Sequence, residues 1–314
     1  MRRLLSTYAG PLYQIRSGSS DQNTGSGGET HDIGQTPDGF ANAAAVDAAC
    51  AGTICTVSLL YDQSGKGNHL SVAKAGAQFA GPNAALDDFE SSATKESLMM
   101  GGHKVYPLYI EPRQGYRLPR VGDGIPRAME PQGVYMLADG THAGVGCCFD
   151  FGNSPPNALT FVDTNALFYG SGGKANGTVT AGAGGGPWFM WDVGELVYAG
   201  GTSGADPALW SNPNSPSLAA KFALGFLKTD SRTPSPKWAL RMADATTATA
   251  VSVATQGALP RQLHTGGAVV LGVSADNGNA SWGTFYEGAI VAGFPADDTE
   301  LSILQNIKAV GYGR

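Results

Sequence analysis

Short apolar runs recur along the whole chain, and Gly, Pro and Asn separate them. In some runs apolar and polar residues alternate, which is typical of a strand with one buried face. In others the apolar residues are continuous, which is typical of a fully buried strand. The clearest runs cover residues 56–62, 105–111, 133–139, 187–193, 221–227, 237–243, 267–273 and 284–294. Many short strands separated by turn residues predict an all-β fold, and specifically a β-sandwich.

Two segments carry helical signals. Residues 39–52 are rich in Ala and favour a short helix. Near the C-terminus, Asp297 or Asp298 is the expected N-cap of a second helix, and Gly311 is its expected end. The expected buried face of this second helix consists of Leu301, Leu304 and Ile307. Because no internal repeat or long linker interrupts the chain, residues 1–314 are interpreted as one domain.

The composition narrows the classes of function. Gly accounts for 45 of 314 residues, and charged residues make up only 15%, which suits strands joined by tight turns. The net charge of −6 and the lack of a large Lys/Arg cluster argue against a nucleic-acid partner and favour a neutral substrate. No run of about 18 apolar residues is present, so no membrane span is expected. The opening MRRLLSTYAG lacks the apolar core of a signal peptide.

The 4 cysteines fall into two local pairs. Cys50 and Cys55 flank a four-residue loop, and Cys147 and Cys148 are adjacent, so two local disulfides are the simplest pairing. Disulfides would indicate a secreted or extracytoplasmic protein whose signal peptide is not in this chain. Zinc binding is the competing interpretation, but neither pair has Cys-x-x-Cys spacing, and no metal or cofactor is expected. For the adjacent pair, two buried free thiols in a strand are a further alternative.

Several unusual segments together resemble one family. They are YDQSGKGNHL (61–70), GVYMLADGTH (133–142), CCFDFGN (147–153), GPWFMWD (186–192), KWALR (237–241) and ADNGNASWGTFYEG (275–288). In this order they resemble the catalytic domain of the α-L-arabinofuranosidase B family, glycoside hydrolase family 54, over nearly the whole chain. The resemblance implies a concanavalin-like (jelly-roll) β-sandwich. It also implies removal of terminal α-L-arabinofuranose from arabinan or arabinoxylan with retention of configuration. The arabinose-binding β-trefoil domain of fungal members is not expected in this chain.

The resemblance also assigns roles to individual residues. It implies a disulfide between Cys147 and Cys148 in the sugar pocket, where the rigid, weakly polar sulfur pair would form a face for the apolar C–H edges of the sugar. Adjacent Cα atoms are closer than most disulfides allow, so such a bridge closes a strained small ring. The residues expected to bind substrate are Cys147, Cys148, Asp192, Trp188, Ala275, Asn277 and His142. Trp188 could equally be a core residue.

Retaining glycoside hydrolysis needs two carboxyl groups, one as nucleophile and one as general acid and base. Asp276 lies in SADNGNAS, a turn that follows the apolar run 267–273, and loops at strand ends often carry catalytic groups. The resemblance makes Asp276 the general acid/base. The alternative role for Asp276 is turn capping, since Asp-Asn-Gly is also an ordinary turn sequence.

The position of the nucleophile departs from the family pattern, which is Asp-x-Glu-Asn. Here Asp192 matches the Asp, Gly194 stands at the position of the nucleophile, and Glu195 comes one residue later. In a continuous strand Asp192 and residue 194 share a face while Glu195 points away. A β-bulge at Gly194 would re-aim Glu195. Glu195 is therefore the expected nucleophile. The alternatives are that Asp192 or another carboxylate has replaced it, or that the site has lost its nucleophile.

The sequence thus leaves hypotheses of different classes. The first is a retaining, exo-acting α-L-arabinofuranosidase, expected to be a monomer that acts on an arabinose-containing polysaccharide or oligosaccharide. The second is a carbohydrate-binding β-sandwich with a degenerate, inactive or weakly active site. The third is a related furanosidase or xylosidase that acts on D-arabinofuranose or xylose.

Overall fold

The computed structural model describes residues 1–79, 84–157, 164–175, 178–194, 197–201, 210–232 and 234–314. Within these ranges the helices are α1 (Ala43–Ala49) and α2 (Asp297–Val310). The strands of the first half are β1 (Tyr13–Ser17), β2 (Glu29–Ile33), β3 (Cys55–Leu60), β4 (Leu70–Val72), β5 (Leu98–Met100), β6 (His103–Val105), β7 (Leu108–Ile110), β8 (Tyr116–Leu118), β9 (Gln132–Ala143) and β10 (Asp150–Ser154). Those of the second half are β11 (Asn165–Gly170), β12 (Gly173–Ala175), β13 (Thr178–Thr180), β14 (Trp188–Asp192), β15 (Val197–Tyr198), β16 (Ala223–Asp230), β17 (Lys237–Asp244), β18 (Ser252–Ala258), β19 (Ala268–Leu271) and β20 (Gly283–Ala292).

Two antiparallel sheets form the body of the protein. One has ten strands in the order β15-β14-β11-β10-β19-β8-β4-β3-β1-β2, and the other has six in the order β18-β17-β16-β9-β20-β7. Apolar side chains from both sheets meet in a shared core, to which Ile15 and Leu167 contribute from the ten-stranded sheet and Met136 and Leu240 from the six-stranded sheet. Two sheets packed face to face over one core are a β-sandwich. The fold class predicted from the sequence is therefore confirmed.

Every apolar run singled out in the sequence contains a strand. The boundaries differ most for the run 133–139, where β9 extends from Gln132 to Ala143, and for the run 221–227, where β16 covers Ala223–Asp230. Turn residues end the other strands close to the expected positions, because Gly accepts the backbone angles that tight turns require.

The alternation of side chains along β14 decides which face of the ten-stranded sheet carries the polar groups. Phe189 and Trp191 point into the core between the sheets. Trp188, Met190 and Asp192 therefore lie on the opposite, outer face of the ten-stranded sheet. The residues that pack together there are Cys148, Phe168, Trp188, Met190, Val197 and Ala199, which we call the outer-face cluster.

Helix α2 begins one residue earlier than expected. Ala296 is its N-cap residue and makes no side-chain capping hydrogen bond, so the prediction of Asp297 or Asp298 as N-cap is wrong. Asp297 lies in the first turn instead, where its Oδ1 accepts a hydrogen bond of 2.6 Å from Lys228 Nζ. Asp297 therefore pairs with the six-stranded sheet, and negative charge in a first turn also suits the helix dipole. Gly311 ends the helix in the left-handed conformation, as predicted.

Helix α2 covers the outer face of the six-stranded sheet. Leu304 and Ile307 are buried there against Leu224 and Tyr286, and Leu301 is half-buried beside them. Glu300 is also buried on this face, where Lys228 Nζ lies 3.0 Å and Arg241 Nε 3.0 Å from its carboxylate oxygens. The helix therefore docks through both apolar contacts and a buried ionic cluster. Neither helix in the described part of the chain is long and apolar enough to cross a membrane.

Replacing Leu304 with Ala is expected to lower the free energy of unfolding by about 2–5 kcal/mol, because it leaves a cavity between α2 and the six-stranded sheet. Urea unfolding followed by tryptophan fluorescence measures the change. Leu301→Ala is the matched control on the same helix, and its half-buried side chain should cost less. Equal losses for the two variants would contradict this account of how the helix is packed.

Candidate functional site

Both cysteine pairs form disulfides. The Cα atoms of Cys50 and Cys55 are 5.6 Å apart, and those of Cys147 and Cys148 are 2.9 Å apart. Cys148 is fully buried in the outer-face cluster, while Cys147 is half-buried and packs against it. The vicinal disulfide therefore lies over the outer face of the ten-stranded sheet, with one sulfur less covered than the other.

Asp192 ends β14 directly beside this disulfide. Its Oδ2 lies 3.6 Å from Cys148 Sγ, and its Oδ1 accepts a hydrogen bond of 2.7 Å from the backbone N–H of Gly194. Burial raises the pKa of Asp192 to about 6; the hydrogen bond from Gly194 and the nearby Arg261 oppose that rise. Arg261 also donates from Nη2 to the carbonyl oxygen of Val193, so it holds the backbone that follows Asp192.

Asp150 is a third acidic residue of this region that the sequence analysis did not single out. It begins β10, and its side chain is 0% exposed. Burial raises the pKa of Asp150 well above its ordinary value, and the neighbouring carboxyl groups of Asp192 and Asp276 raise it further. The structure therefore gathers Asp150, Asp192 and Asp276 into one group of interacting carboxyl groups.

Asp276 lies in the connection between β19 and β20, and it is 7% exposed. Its Oδ1 accepts a hydrogen bond of 2.8 Å from the backbone N–H of Gly278. The same connection reaches the disulfide, because the N–H of Ala280 donates to the carbonyl oxygen of Cys147 at 3.0 Å. Asp276 and the disulfide are thus parts of one connected arrangement, although they are far apart in the sequence.

Arg117 of β8 holds the loop that carries Asp276 through hydrogen bonds. Its guanidinium is buried, and both terminal nitrogens donate to the carbonyl oxygen of Ala275 at 3.3 and 3.2 Å. It also donates to Oδ1 of Asn277, and its flat face packs on the Phe79 ring at 4.0 Å. Asn277 has a positive φ of 64° and donates from Nδ2 to the carbonyl oxygen of Lys74 at 2.9 Å. Ala275 and Asn277, expected to bind substrate, are thus both engaged in holding this loop.

If Asp276 is the general acid/base that the sequence resemblance implies, replacing Arg117 with Lys should lower kcat/KM on an arabinofuranoside by about 10- to 100-fold, because small misplacements of a catalytic group are costly. A Lys ammonium cannot bridge the two acceptors as the planar guanidinium does. The matched control is Arg113→Lys, since Arg113 also packs over a phenylalanine ring, Phe89, at 4.3 Å. Steady-state kinetics and unfolding curves for both variants separate loss of positioning from loss of stability. Equal kinetic effects in the two variants would contradict a special role for Arg117.

Trp188 and His142, which were also predicted to bind substrate, lie in different parts of the structure. Trp188 is 4% exposed, packs in the outer-face cluster beside Cys148, and donates from Nε1 to the carbonyl oxygen of Ala183 at 2.7 Å. His142 stacks on Tyr109 with ring centroids 4.1 Å apart, and its Nδ1 lies 2.9 Å from Thr284 Oγ1. These contacts belong to the six-stranded sheet. His142 therefore lies apart from the carboxyl groups of Asp150, Asp192 and Asp276. Trp188 packs beside the disulfide next to those groups, within the outer-face cluster.

The segment that holds the expected nucleophile is not a continuous strand. Strand β14 ends at Asp192, which pairs with Val197, the first residue of β15. Gly194 lies in the connection, with a positive φ of 109°. The expectation that strand alternation extends from Asp192 to residue 194 is therefore wrong, because the strand has already ended. Glu195 lies outside the described residues.

The arrangement offers little to a metal ion. The two sulfur atoms and an oxygen of Asp192 lie within 4.8 Å of one another. Metal ions bind cysteine as the thiolate, however, and both sulfurs are used in the disulfide. Of these three residues, only Asp192 therefore keeps an atom that could bind a metal ion.

Comparisons with known proteins agree with this architecture. The family model for the catalytic domain of α-L-arabinofuranosidase B matches residues 1–313. The chain is 36% identical over 318 residues to an α-L-arabinofuranosidase of Hypocrea jecorina and to α-L-arabinofuranosidase B of Aspergillus kawachii, covering 99% of this chain and 59% of each relative. A crystal structure of an arabinofuranosidase complexed with arabinofuranosyl-α-1,2-xylobiose superposes with a TM-score of 0.86 at 34% identity, covering 99% of this chain and 61% of that one.

Fold and sequence together thus define the catalytic domain of a glycoside hydrolase. The chain belongs to the α-L-arabinofuranosidase B family, glycoside hydrolase family 54. It spans about three fifths of the length of the curated relatives that it matches.

Sequence reasoning missed three residues of this region: Asp150, Arg117 and Arg261. A signal for Asp150 was present, because it follows Cys148 by two residues and such pairs share a face of an extended chain. No local signal marks Arg117 or Arg261. Their importance comes from contacts with Ala275 and Val193, which are distant in the sequence.

Proposed function

We propose that this chain is an exo-acting α-L-arabinofuranosidase that removes a terminal arabinofuranose with retention of configuration. The observation that carries the proposal is the connected arrangement of Asp276, the Cys147–Cys148 disulfide and Asp192 on a scaffold of this family. Asp276 corresponds to the general acid/base of the family. Arg117 holds the carbonyl oxygen of the preceding residue, Ala275, and Asp192 lies beside the disulfide on which the sugar would rest.

In the proposed reaction Asp276 gives its proton to the glycosidic oxygen while Glu195 attacks the anomeric carbon. The bond between that carbon and the leaving oxygen breaks, and a covalent glycosyl-enzyme forms. Asp276, now ionised, takes a proton from water, and the resulting hydroxide displaces Glu195 with a second inversion. Asp192 accepts hydrogen bonds from sugar hydroxyl groups. The two inversions together retain the configuration.

The substrate we propose is an arabinan or arabinoxylan side chain, or an oligosaccharide released from one. A relative of known structure was captured with arabinofuranosyl-α-1,2-xylobiose, which carries arabinose on a xylose backbone. The net charge of −6 suits a neutral polysaccharide better than an anionic one. We also propose that the protein works outside the cytoplasm, because its two disulfides suit an oxidising compartment.

A second candidate function is carbohydrate binding without efficient catalysis. Gly194 favours it, because this residue stands where the family has its nucleophile and offers no carboxylate there. A third candidate is a different sugar preference, since a relative from Trichoderma koningii is described as an arabinofuranosidase/β-xylosidase.

The test is release of nitrophenol from p-nitrophenyl α-L-arabinofuranoside, with p-nitrophenyl β-D-xylopyranoside and α-D-arabinofuranoside as alternative substrates. Proton NMR of the first sugar released identifies its anomer and thereby retention or inversion. Preference for the α-L-arabinofuranoside with retention supports the proposal. Preference for a xyloside or D-arabinoside would support the third candidate. A protein that binds arabinan but releases nothing from any of the three would support the second.

A further inference from the structure

The carboxyl group of Asp150 has no role in the proposed reaction. Its side chain is fully buried on the outer face of the ten-stranded sheet. Among the described residues, no N–H or O–H group donates a hydrogen bond to either of its carboxyl oxygens. An ionised carboxylate buried in this way would give up its hydration without compensation. The charged form of Asp150 is therefore strongly disfavoured.

The groups around Asp150 also disfavour its charged form. Among titratable side chains, the carboxyl group of Asp192 on β14 acts most strongly on Asp150, and the carboxyl group of Asp276 in the β19–β20 connection acts on it less. Two carboxyl groups can form a hydrogen bond with each other only if one of them carries a proton. Asp192 is the better anion of the pair, because it accepts the N–H of Gly194 and lies near Arg261.

We propose that Asp150 is a positioning residue, which keeps its proton and donates it to Asp192, so that the two carboxyl groups share a single negative charge beside the vicinal disulfide. This inference rests on the proposed function, in which Asp192 accepts hydrogen bonds from sugar hydroxyl groups. A donor fixed behind Asp192 sets the orientation of its free oxygen and keeps it charged. The raised pKa of Asp150, caused by burial and by Asp192, agrees with a proton held at this position.

The first test is independent of activity and compares the stability of Asp150→Asn with that of the parent at several pH values. An Asp ionises near pH 4 in the unfolded chain, whereas Asp150 stays protonated in the folded one. Folding of the parent must then take up a proton, so its stability falls as pH rises above about 4. Asn binds no proton. The unfolding constant of the parent relative to the variant should therefore rise about tenfold per pH unit, until Asp150 ionises in the folded protein.

Asp139→Asn is the matched control for this series. Asp139 is also fully buried, but it accepts hydrogen bonds from Tyr286 at 2.9 Å, from Thr141 and from Lys221. Burial opposes its ionisation, yet those hydrogen bonds outweigh burial and lower its pKa. Its stability contribution is present above about pH 4 and is lost on acidification, so the stability difference from the parent should be constant from about pH 5 to 8. A constant difference for Asp150→Asn as well would overturn the proposal.

The second test uses kinetics. Asp150→Asn keeps a neutral donor at this position, whereas Asp150→Leu has the same branching at Cγ, a somewhat larger side chain and no donor. Asp150→Leu should therefore lower kcat/KM at least about tenfold more than Asp150→Asn, because the amide still donates a hydrogen bond to Asp192. Inactivation by Asn as complete as by Leu would contradict the proposed role. If the parent has no activity on furanosides, the stability series still decides where the proton lies.

Discussion

Replacing Asp276 with Asn is expected to lower kcat/KM on an arabinoxylan oligosaccharide by about 10²–10⁴-fold, because the leaving sugar hydroxyl then departs without a proton. Asn has the same shape, and its Oδ1 can still accept the hydrogen bond that the N–H of Gly278 gives to Asp276 at 2.8 Å. The loop held by Arg117 should therefore keep its structure. The loss then reports the missing proton transfer and not a displaced backbone.

The choice of leaving group provides the control for this prediction. Nitrophenolate is a good leaving group that needs little protonation, so kcat/KM on p-nitrophenyl α-L-arabinofuranoside should fall much less in Asp276→Asn. Parallel progress curves on the two substrates measure the difference directly. If both values of kcat/KM fell equally, Asp276 would have a structural role in its turn. Full activity on the oligosaccharide would assign the general acid to another residue.

The strands of this protein could be predicted from the sequence because the signal is local. Each apolar run, such as 187–193, carries its own alternation and its own turn residues, and β14 forms at that place. The same alternation correctly separates Asp192 from Trp191. It fails beyond Asp192, because pairing with Val197 ends the strand, and no property of residues 193–196 alone announces that end.

The site was only partly predictable, since its geometry depends on contacts between distant segments. Asp276 and the adjacent cysteines were found through motifs of the family. Arg117 was not found, because it lies in an ordinary strand and its hydrogen-bond partners come 158 and 160 positions later in the chain. The N-cap of α2 could not be predicted for the same reason. Asp297 forms ion pairs with Lys228 and Arg241, which lie on strands far away in the sequence.

The Asp150–Asp192 pair shows why residue type alone does not reveal role. Both are aspartates on the outer face of the ten-stranded sheet, but Asp192 has an N–H donor and Asp150 has none among the described residues. The acidic side of the pH profile should therefore report on the pair as a unit. The pair loses its single negative charge near pH 6, the value to which burial raises the pKa of Asp192, and activity should fall there.

Replacing Glu195 with Gln is expected to lower kcat by about 10⁴–10⁶-fold, because loss of the nucleophile removes the covalent step. Gln keeps the size of the side chain but cannot attack the anomeric carbon. Asp192→Asn is the matched comparison from the same hairpin, and it should impair sugar binding as well as turnover. Single-turnover and steady-state rates on p-nitrophenyl α-L-arabinofuranoside measure both variants. If Glu195→Gln stays active while Asp192→Asn is inert, the nucleophile is Asp192.

An exchange of residues within the same hairpin completes the argument. Gly194→Glu combined with Glu195→Asn restores the Asp-x-Glu-Asn order of the family, with Asp192 unchanged. The positive φ of 109° at Gly194 favours Gly, so the exchange should cost about 1–3 kcal/mol of stability unless the backbone adjusts. If Glu195 already reaches the anomeric carbon, moving the carboxylate one residue earlier should reduce activity. If the parent is inert and the exchange creates activity, the native hairpin lacks a usable nucleophile, and the protein is a sugar-binding descendant of an enzyme.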